Sequence, residues 1–216
     1  MFFPIYLNLT GKRVIVIGGG EVAERKVASL SGTGAAITVI SPDLTPELFS
    51  LSKSNAIAWQ ERSYVRGDCS NAALVLSATN DPAISRAVWE EAMETGVLVN
   101  TADQPSLCDF IMPAVVRRGE LAVAISTGGA SPALAATLRE KLSEMFGPEY
   151  EELLEILSRA RPEIQQRFQD ERDRKALHYR ILNSNLIGLL KRQDREGAAR
   201  LLREIIEDFA CQEKAR

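Results

Sequence analysis

Six consecutive residues, Gly18-Gly19-Gly20-Glu21-Val22-Ala23, combine types and spacing suited to holding a phosphate. They follow the β-branched run Val14-Ile15-Val16-Ile17 and match G-x-G-x-x-A, the turn between the first strand and first helix of dinucleotide-binding folds. Gly18 permits the tight turn, Gly20 lets the backbone approach a pyrophosphate, and Ala23 lets the helix lie close to the strand. Glu21 and Val22 open that helix, whose unpaired N–H groups and positive dipole end face the phosphates.

Asp43, next to Pro42, follows Gly20 by 23 residues, near the spacing of about 20 at which an acid reaches the ribose hydroxyls. A carboxylate there accepts from a 2′-hydroxyl and repels a 2′-phosphate. Ser41-Pro42-Asp43 brings no arginine, so the pattern favours NAD over NADP. The other role open to Asp43 is a cap or turn beside Pro42. Ser77-Ala78-Thr79-Asn80 closes a later apolar run, which places Thr79 and Asn80 at the strand ends where ligands of open α/β sheets sit. For Asn80 the alternative is a cap on the next helix.

Positioning these residues requires a sheet. Short runs at 14–17, 37–40, 57–59, 74–77 and 97–99 alternate with helix-length segments, the pattern of parallel strands covered on both faces. Asp103 comes just after the fifth of them. The apolar runs 110–116 and 121–126 flank Arg117-Arg118-Gly119-Glu120, which reads as a hairpin turn. Ser131-Pro132 supplies an N-cap and a first-turn proline for a helix over 133–146, stopped by Gly147-Pro148. Beyond 149 the chain is charged and helical, with apolar faces at Leu186, Leu189 and Leu190 and at Leu201, Leu202, Ile205, Ile206 and Phe209. The fold class predicted is α/β. A Rossmann-type parallel-sheet domain over 1–112 precedes a small α+β dimerisation segment over 113–147 and a C-terminal helical domain over 148–216.

With 216 residues and 45% hydrophobic composition, the chain has enough apolar side chains for a substantial core. Its apolar runs are too short to cross a hydrocarbon layer or to form a signal segment, which predicts no membrane partner and a cytoplasmic location. Cys69, Cys108 and Cys211 are widely separated and suggest neither a disulfide framework nor a thiolate zinc site. A net charge of −3 argues against a nucleic-acid partner. The single histidine, His178, sits in a charged helix and reads as a surface residue, so no metal site is predicted from one chain.

Several motifs in order make the comparison more specific: FPIYL at 3–7, GGGEVAERK at 18–26, SATND at 77–81, VNTAD at 99–103, FIMP at 110–113 and STGGASP at 126–132. With them the chain resembles the precorrin-2 dehydrogenase/sirohydrochlorin ferrochelatase family, which includes the N-terminal module of sirohaem synthase. Past about Gly147 the signature fades. The resemblance implies NAD-dependent oxidation of precorrin-2 to sirohydrochlorin in sirohaem biosynthesis, by a homodimer. It implies NAD contacts from Glu21, Val22, Pro42 and Asp43, and a catalytic aspartate at Asp103. Some members also insert iron into the product; the sequence leaves both possibilities open.

Oxidation of such a macrocycle removes a hydride and a proton, and Asp103 stands where it accepts that proton or orients pyrrole N–H groups. Its alternative is a loop carboxylate capping a local turn. The implied tetrapyrrole carries many carboxylates, which an acidic protein must hold through local positive sites. Arg117 and Arg118 are candidates. So is Gly128-Gly129 before a helix start, with donors from Ser126, Thr127 and Ser131. Thr127 stands where relatives often have serine and keeps a hydroxyl. The plainer roles are solvated arginines at a hairpin and a Ser131 that only caps its helix. A second reading is an NAD-binding, ligand-sensing regulatory module without catalysis, like the gating domains of potassium-uptake systems. It leaves the segment 103–132 unexplained.

Overall fold

Strands buried on both faces need apolar residues at successive positions, and the sheet is built from such runs. In the computed structural model, which describes residues 2–214, β1 (Arg13–Ile17), β2 (Ala36–Ile40), β3 (Ala58–Gln60), β4 (Leu74–Ser77) and β5 (Leu98–Thr101) pair in parallel in the order β3-β2-β1-β4-β5. Helices α1 (Glu21–Ser29), α2 (Pro46–Lys53) and α3 (Pro82–Thr95) make crossovers between the strands. The chain leaves β1 in one direction for β2 and β3 and returns past it to β4. The reversal point of a Rossmann sheet therefore lies between β1 and β4.

Alternation along the strands divides the core in two. Val14, Val16, Val39, Leu74 and Leu76 pack with Ala23, Val27 and Leu48 of α1 and α2. Ile15, Ile17, Val75 and Val99 pack with Val88 and Ala92 of α3. Each fully buried Val, Leu or Ile among them contributes about 1.5–3 kcal/mol. The outer strands sit one residue later than the apolar runs suggest. Ile57 is buried ahead of β3, while the Trp59 indole donates to the Ser41 carbonyl at 3.0 Å.

The chain divides into two units, one ending at Met112 and the other beginning at Pro113. In the second, β6 (Ala114–Arg118) and β7 (Leu121–Ile125) form an antiparallel hairpin, followed by α4 (Pro132–Met145), α5 (Glu149–Arg167), α6 (Glu171–Leu182), α7 (Leu186–Lys191) and α8 (Arg195–Lys214). The turn expected over four residues narrows to Gly119-Glu120. Arg117 and Arg118 belong to β6, paired with Ala122 and Leu121. Gly119 has φ +55°, the left-handed conformation a two-residue hairpin turn demands. β6 starts only after Pro113, which has no N–H to give a ladder. Leu186, Leu190, Leu202, Ile205, Ile206 and Phe209 are buried with Leu153, Ile164, Leu177 and Ile181, while Leu189 and Leu201 pack against them half-buried. Among the described residues no helix is long and apolar enough to cross a membrane.

Candidate active site

The sheet's carboxyl edge is shaped by the glycine turn. Gly18 has φ +111°, and a Cβ there would stand 2.4 Å from the Ala78 carbonyl oxygen. A Cβ on Gly19 would come within 1.9 Å of the Asp43 carbonyl oxygen and 2.8 Å of Ser41 Oγ. Backbone bonds lace the same loops together: Gly18 N–H to Ile40 O (2.9 Å), Thr45 N–H to Gly19 O (2.9 Å) and Ala78 N–H to Ile17 O (2.7 Å). The variable middle position of the fingerprint is thus as restrictive as its first named glycine, Gly18, a constraint the motif does not express.

Gly20 is different. No protein atom lies within 4 Å of where its Cβ would be, and it opens α1 with extended backbone and no side-chain cap. Free space above the backbone, beside the first-turn N–H groups of Glu21 and Val22, fits a pyrophosphate. Ala23 is fully buried and lets α1 lie against β1. These residues fit a dinucleotide.

The neighbouring helices are capped by residues other than the predicted ligands. Thr45 caps α2, accepting from Leu48 N–H at 3.3 Å, and its hydroxyl donates to the Glu24 carboxylate at 2.6 Å. Asp81 caps α3, accepting from Ala83 and Ile84 N–H at 2.8 and 3.3 Å. Asp43 and Asn80 are therefore not the helix caps, and both are exposed, as is Pro42. Thr79 is half-buried, its hydroxyl accepting from Asp81 N–H at 3.2 Å.

Asp103 stands at the same edge. Ala102 N–H donates to Ser77 O at 2.9 Å, carrying the β4–β5 alignment one step beyond the strands. Asp103 then turns with φ +57°, a conformation that aspartate tolerates better than most side chains, and it is exposed. The following loop is closed on Cys108, whose sulfur accepts from Thr101 N–H and donates to Thr101 O, both at 3.2 Å.

Sequence reading gave no role to Lys26 of α1. It is only 9% exposed, and its ammonium donates to Asn100 Oδ1 and reaches Met112 Sδ at 3.9 Å. The Asn100 amide in turn donates to Phe110 O at 2.9 Å. Burial lowers the Lys26 pKa from the ordinary lysine range, an effect opposed by the electrostatic influence of Cys108 and Asp103 and assisted by that of Arg25. The available signal is positional: Ala23, Lys26 and Val27 share the buried face of α1, where a lysine is out of place.

The other predicted residues lie on the second unit. Arg117 is exposed, whereas Arg118 is engaged, donating to Ser143 O (2.9 Å), Ser143 Oγ (2.8 Å) and Arg117 O (2.8 Å). The loop into α4 is self-braced. Ser126 Oγ accepts from Gly128 N–H at 3.0 Å. Thr127 Oγ1 exchanges two 3.1 Å bonds with the Ser131 backbone, and Ser131 Oγ caps α4 at Leu134 N–H. Gly128 and Gly129 have φ +63° and +89°. A cavity of 1160 Å³ also belongs to this unit, lined by Leu154, Leu157, Ile164, Arg174, Tyr179 and the half-buried His178. Among the described residues no three His, Cys, Asp or Glu side chains converge as a metal site.

Three family models match consecutive parts of the chain: "Putative NAD(P)-binding" over residues 5–114, "Sirohaem biosynthesis protein central" over 118–145 and "Sirohaem synthase dimerisation region" over 149–206. The chain belongs to the NAD(P)-binding family of sirohaem biosynthesis. Similar members of this family include the sirohaem synthase of Nitrosococcus oceani, 38% identical over 86% of this chain and 40% of that protein. That of Nitrosomonas europaea is 35% identical over 98% of this chain and 45% of that protein. The chain thus spans less than half the length of these curated relatives. Among solved structures it is similar to SirC, a precorrin-2 dehydrogenase, with a TM-score of 0.74 and 27% identity, covering 96% of this chain and 98% of that one. The model named for dimerisation covers α5 to α8, beyond the 113–147 segment to which the sequence reading gave that role.

Proposed function

We propose that this sirohaem-family chain is an NAD-dependent precorrin-2 dehydrogenase, which oxidises precorrin-2 to sirohydrochlorin as a cytoplasmic homodimer. The observation that carries this reading is the similarity to SirC over nearly the full length of both chains, joined to a glycine turn that fits a dinucleotide. Residues 1–112, 113–147 and 148–216 serve as its dinucleotide-binding, substrate-contacting and helical parts, with dimer contacts from the last two. Supporting the dimer are the matched dimerisation region and the exposed Leu134, Leu138 and Met145 of α4.

In this reading Gly18 and Gly20 shape the pyrophosphate seat, and the amides of Glu21 and Val22 hold its charge. Pro42 and Asp43 border the adenosine ribose, where the Asp43 carboxylate selects NAD over NADP. Thr79 and Asn80 line the floor toward the nicotinamide. When bound, the nicotinamide supplies the two-electron acceptor. Asp103 receives the accompanying proton from the macrocycle, so that precorrin-2 and NAD⁺ give sirohydrochlorin, NADH and one proton. Arg117, with the 126–131 loop, offers charge and donors to the substrate's carboxylates, and Arg118 holds the strand that presents them.

Anaerobic mixing of the purified protein with precorrin-2 and NAD tests the reading: NADH absorbance rises together with the sirohydrochlorin spectrum. Folded protein that leaves both flat with authentic substrate overturns it. Ferrous or cobaltous ion added to the oxidised product then measures metal insertion separately.

A further inference from the structure

We infer that Lys26 is a positioning residue for Asp103: through Asn100 its ammonium ties the dinucleotide helix α1 to the loop from Thr101 to Met112 that carries Asp103. The role in turnover rests on the dehydrogenase reading above; the tether itself does not.

Three observations meet at this side chain. First, Lys26 is buried on the core side of α1, where an apolar residue of similar length would avoid the cost of removing an ammonium from water. Second, Lys26 donates to Asn100, and Asn100 spends its amide on Phe110 O at 2.9 Å and Cys108 Sγ at 3.6 Å. One ammonium thereby reaches both ends of the loop bearing Asp103, and Met112 Sδ closes the circuit at 3.9 Å. Third, the charged and titratable groups interacting with this ammonium are Cys108, Asp103 and Arg25, with Asp103 favouring its protonated form.

Lys26→Met removes the charge and the bond to Asn100, and Lys26→Arg restores a charge that does not titrate. In precorrin-2 turnover, Lys26→Met is expected to lower kcat by about 100-fold, as a loosened catalytic group does, while the NAD dissociation constant stays within about threefold of the parent. Lys26→Arg is expected to recover much of that loss. The parent's alkaline fall in kcat, set by a lysine that deprotonates below its ordinary range, is absent in Lys26→Arg.

A readout independent of turnover is alkylation of Cys108, followed by peptide mass mapping without NAD or substrate. Losing the tether should raise its rate several-fold in Lys26→Met and leave the buried Cys69 unreactive. Parental kcat and pH profile in Lys26→Met overturn the proposal, as does a loss of NAD affinity equal to the loss of turnover. If the parent fails to oxidise precorrin-2, the dehydrogenase reading falls, while faster Cys108 alkylation in the variant still supports the tether and an unchanged rate overturns it.

Discussion

A Cβ on Gly19 would lie 1.9 Å from the Asp43 carbonyl oxygen, so the glycine turn and the loop carrying Asp43 occupy their places only because position 19 has no side chain. Gly20, one residue on, faces open space. The two adjacent glycines therefore differ: protein atoms exclude a side chain at position 19, whereas at position 20 only the proposed dinucleotide would.

Gly20→Val should fold, since its φ is negative and nothing obstructs the side chain; the cost is about 1 kcal/mol for a poor helix-start residue. NAD affinity should fall by about tenfold or more, each factor of ten being 1.4 kcal/mol. Gly19→Ala should lower the melting temperature and the affinity together. Isothermal titration beside thermal unfolding separates the two, and equal behaviour of the variants would show that the distinction is wrong.

Asp103→Ala should bind NAD as the parent does and lose turnover by a factor of about 10²–10⁴, the usual contribution of a positioned proton acceptor. Asp103→Asn is the sharper probe, because asparagine also tolerates the φ of +57° and removes only the charge. Parental turnover in Asp103→Asn would exclude this carboxylate as the proton acceptor.

Asp43→Arg should shift the ratio of NADP to NAD affinity upward by about tenfold, or 1.4 kcal/mol, because it exchanges repulsion of a 2′-phosphate for attraction. Thr45, not Asp43, caps α2, so stability should hardly change. Fluorescence titration with both reduced dinucleotides measures the ratio, and an unchanged preference would remove Asp43 from the ribose pocket.

The sheet is legible in the sequence because each strand is an apolar run between turn residues, and Ser77-Ala78-Thr79-Asn80-Asp81 marks both a strand end and a helix start. The caps are less legible. Asp43, Thr45, Asn80 and Asp81 are all chemically able to cap, and only the backbone path decides between neighbours. Arg118 shows another limit. Its tie to Ser143 links positions far apart in the chain, so sequence reading treats it like the exposed Arg117 beside it. Lys26 stayed hidden because charge is ordinarily read as exposure. Its buried register follows from Ala23 and Val27, but its partner Asn100 comes from a distant strand.

Arg118→Ala should destabilise the protein by about 1–2 kcal/mol, the loss of charge-assisted bonds discounted for partial exposure. Arg117→Ala should leave stability alone and raise the KM for precorrin-2. Urea unfolding and steady-state kinetics check the pair; reversed effects would mean that Arg118 is the substrate contact.

Asp68 predicts how stability depends on pH. Burial alone would raise its pKa, but the Arg62 guanidinium, donating at 2.7 and 2.8 Å, and the Val65 N–H at 2.9 Å outweigh that and hold it below the ordinary carboxylate range. A carboxyl whose folded pKa is depressed adds stability above its unfolded value of about 3.9 and loses that contribution as pH falls through the lower folded value. Asp68→Asn should therefore melt lower than the parent at pH 7 and pH 5. The gap should begin to close below about pH 4 and vanish only as pH falls through the lower folded value, where the folded parent's own carboxyl becomes neutral. Taking the difference between the two proteins cancels the other carboxylates that titrate in the same range. A gap that stays constant down to acid unfolding would mean that Asp68 acts through shape rather than charge.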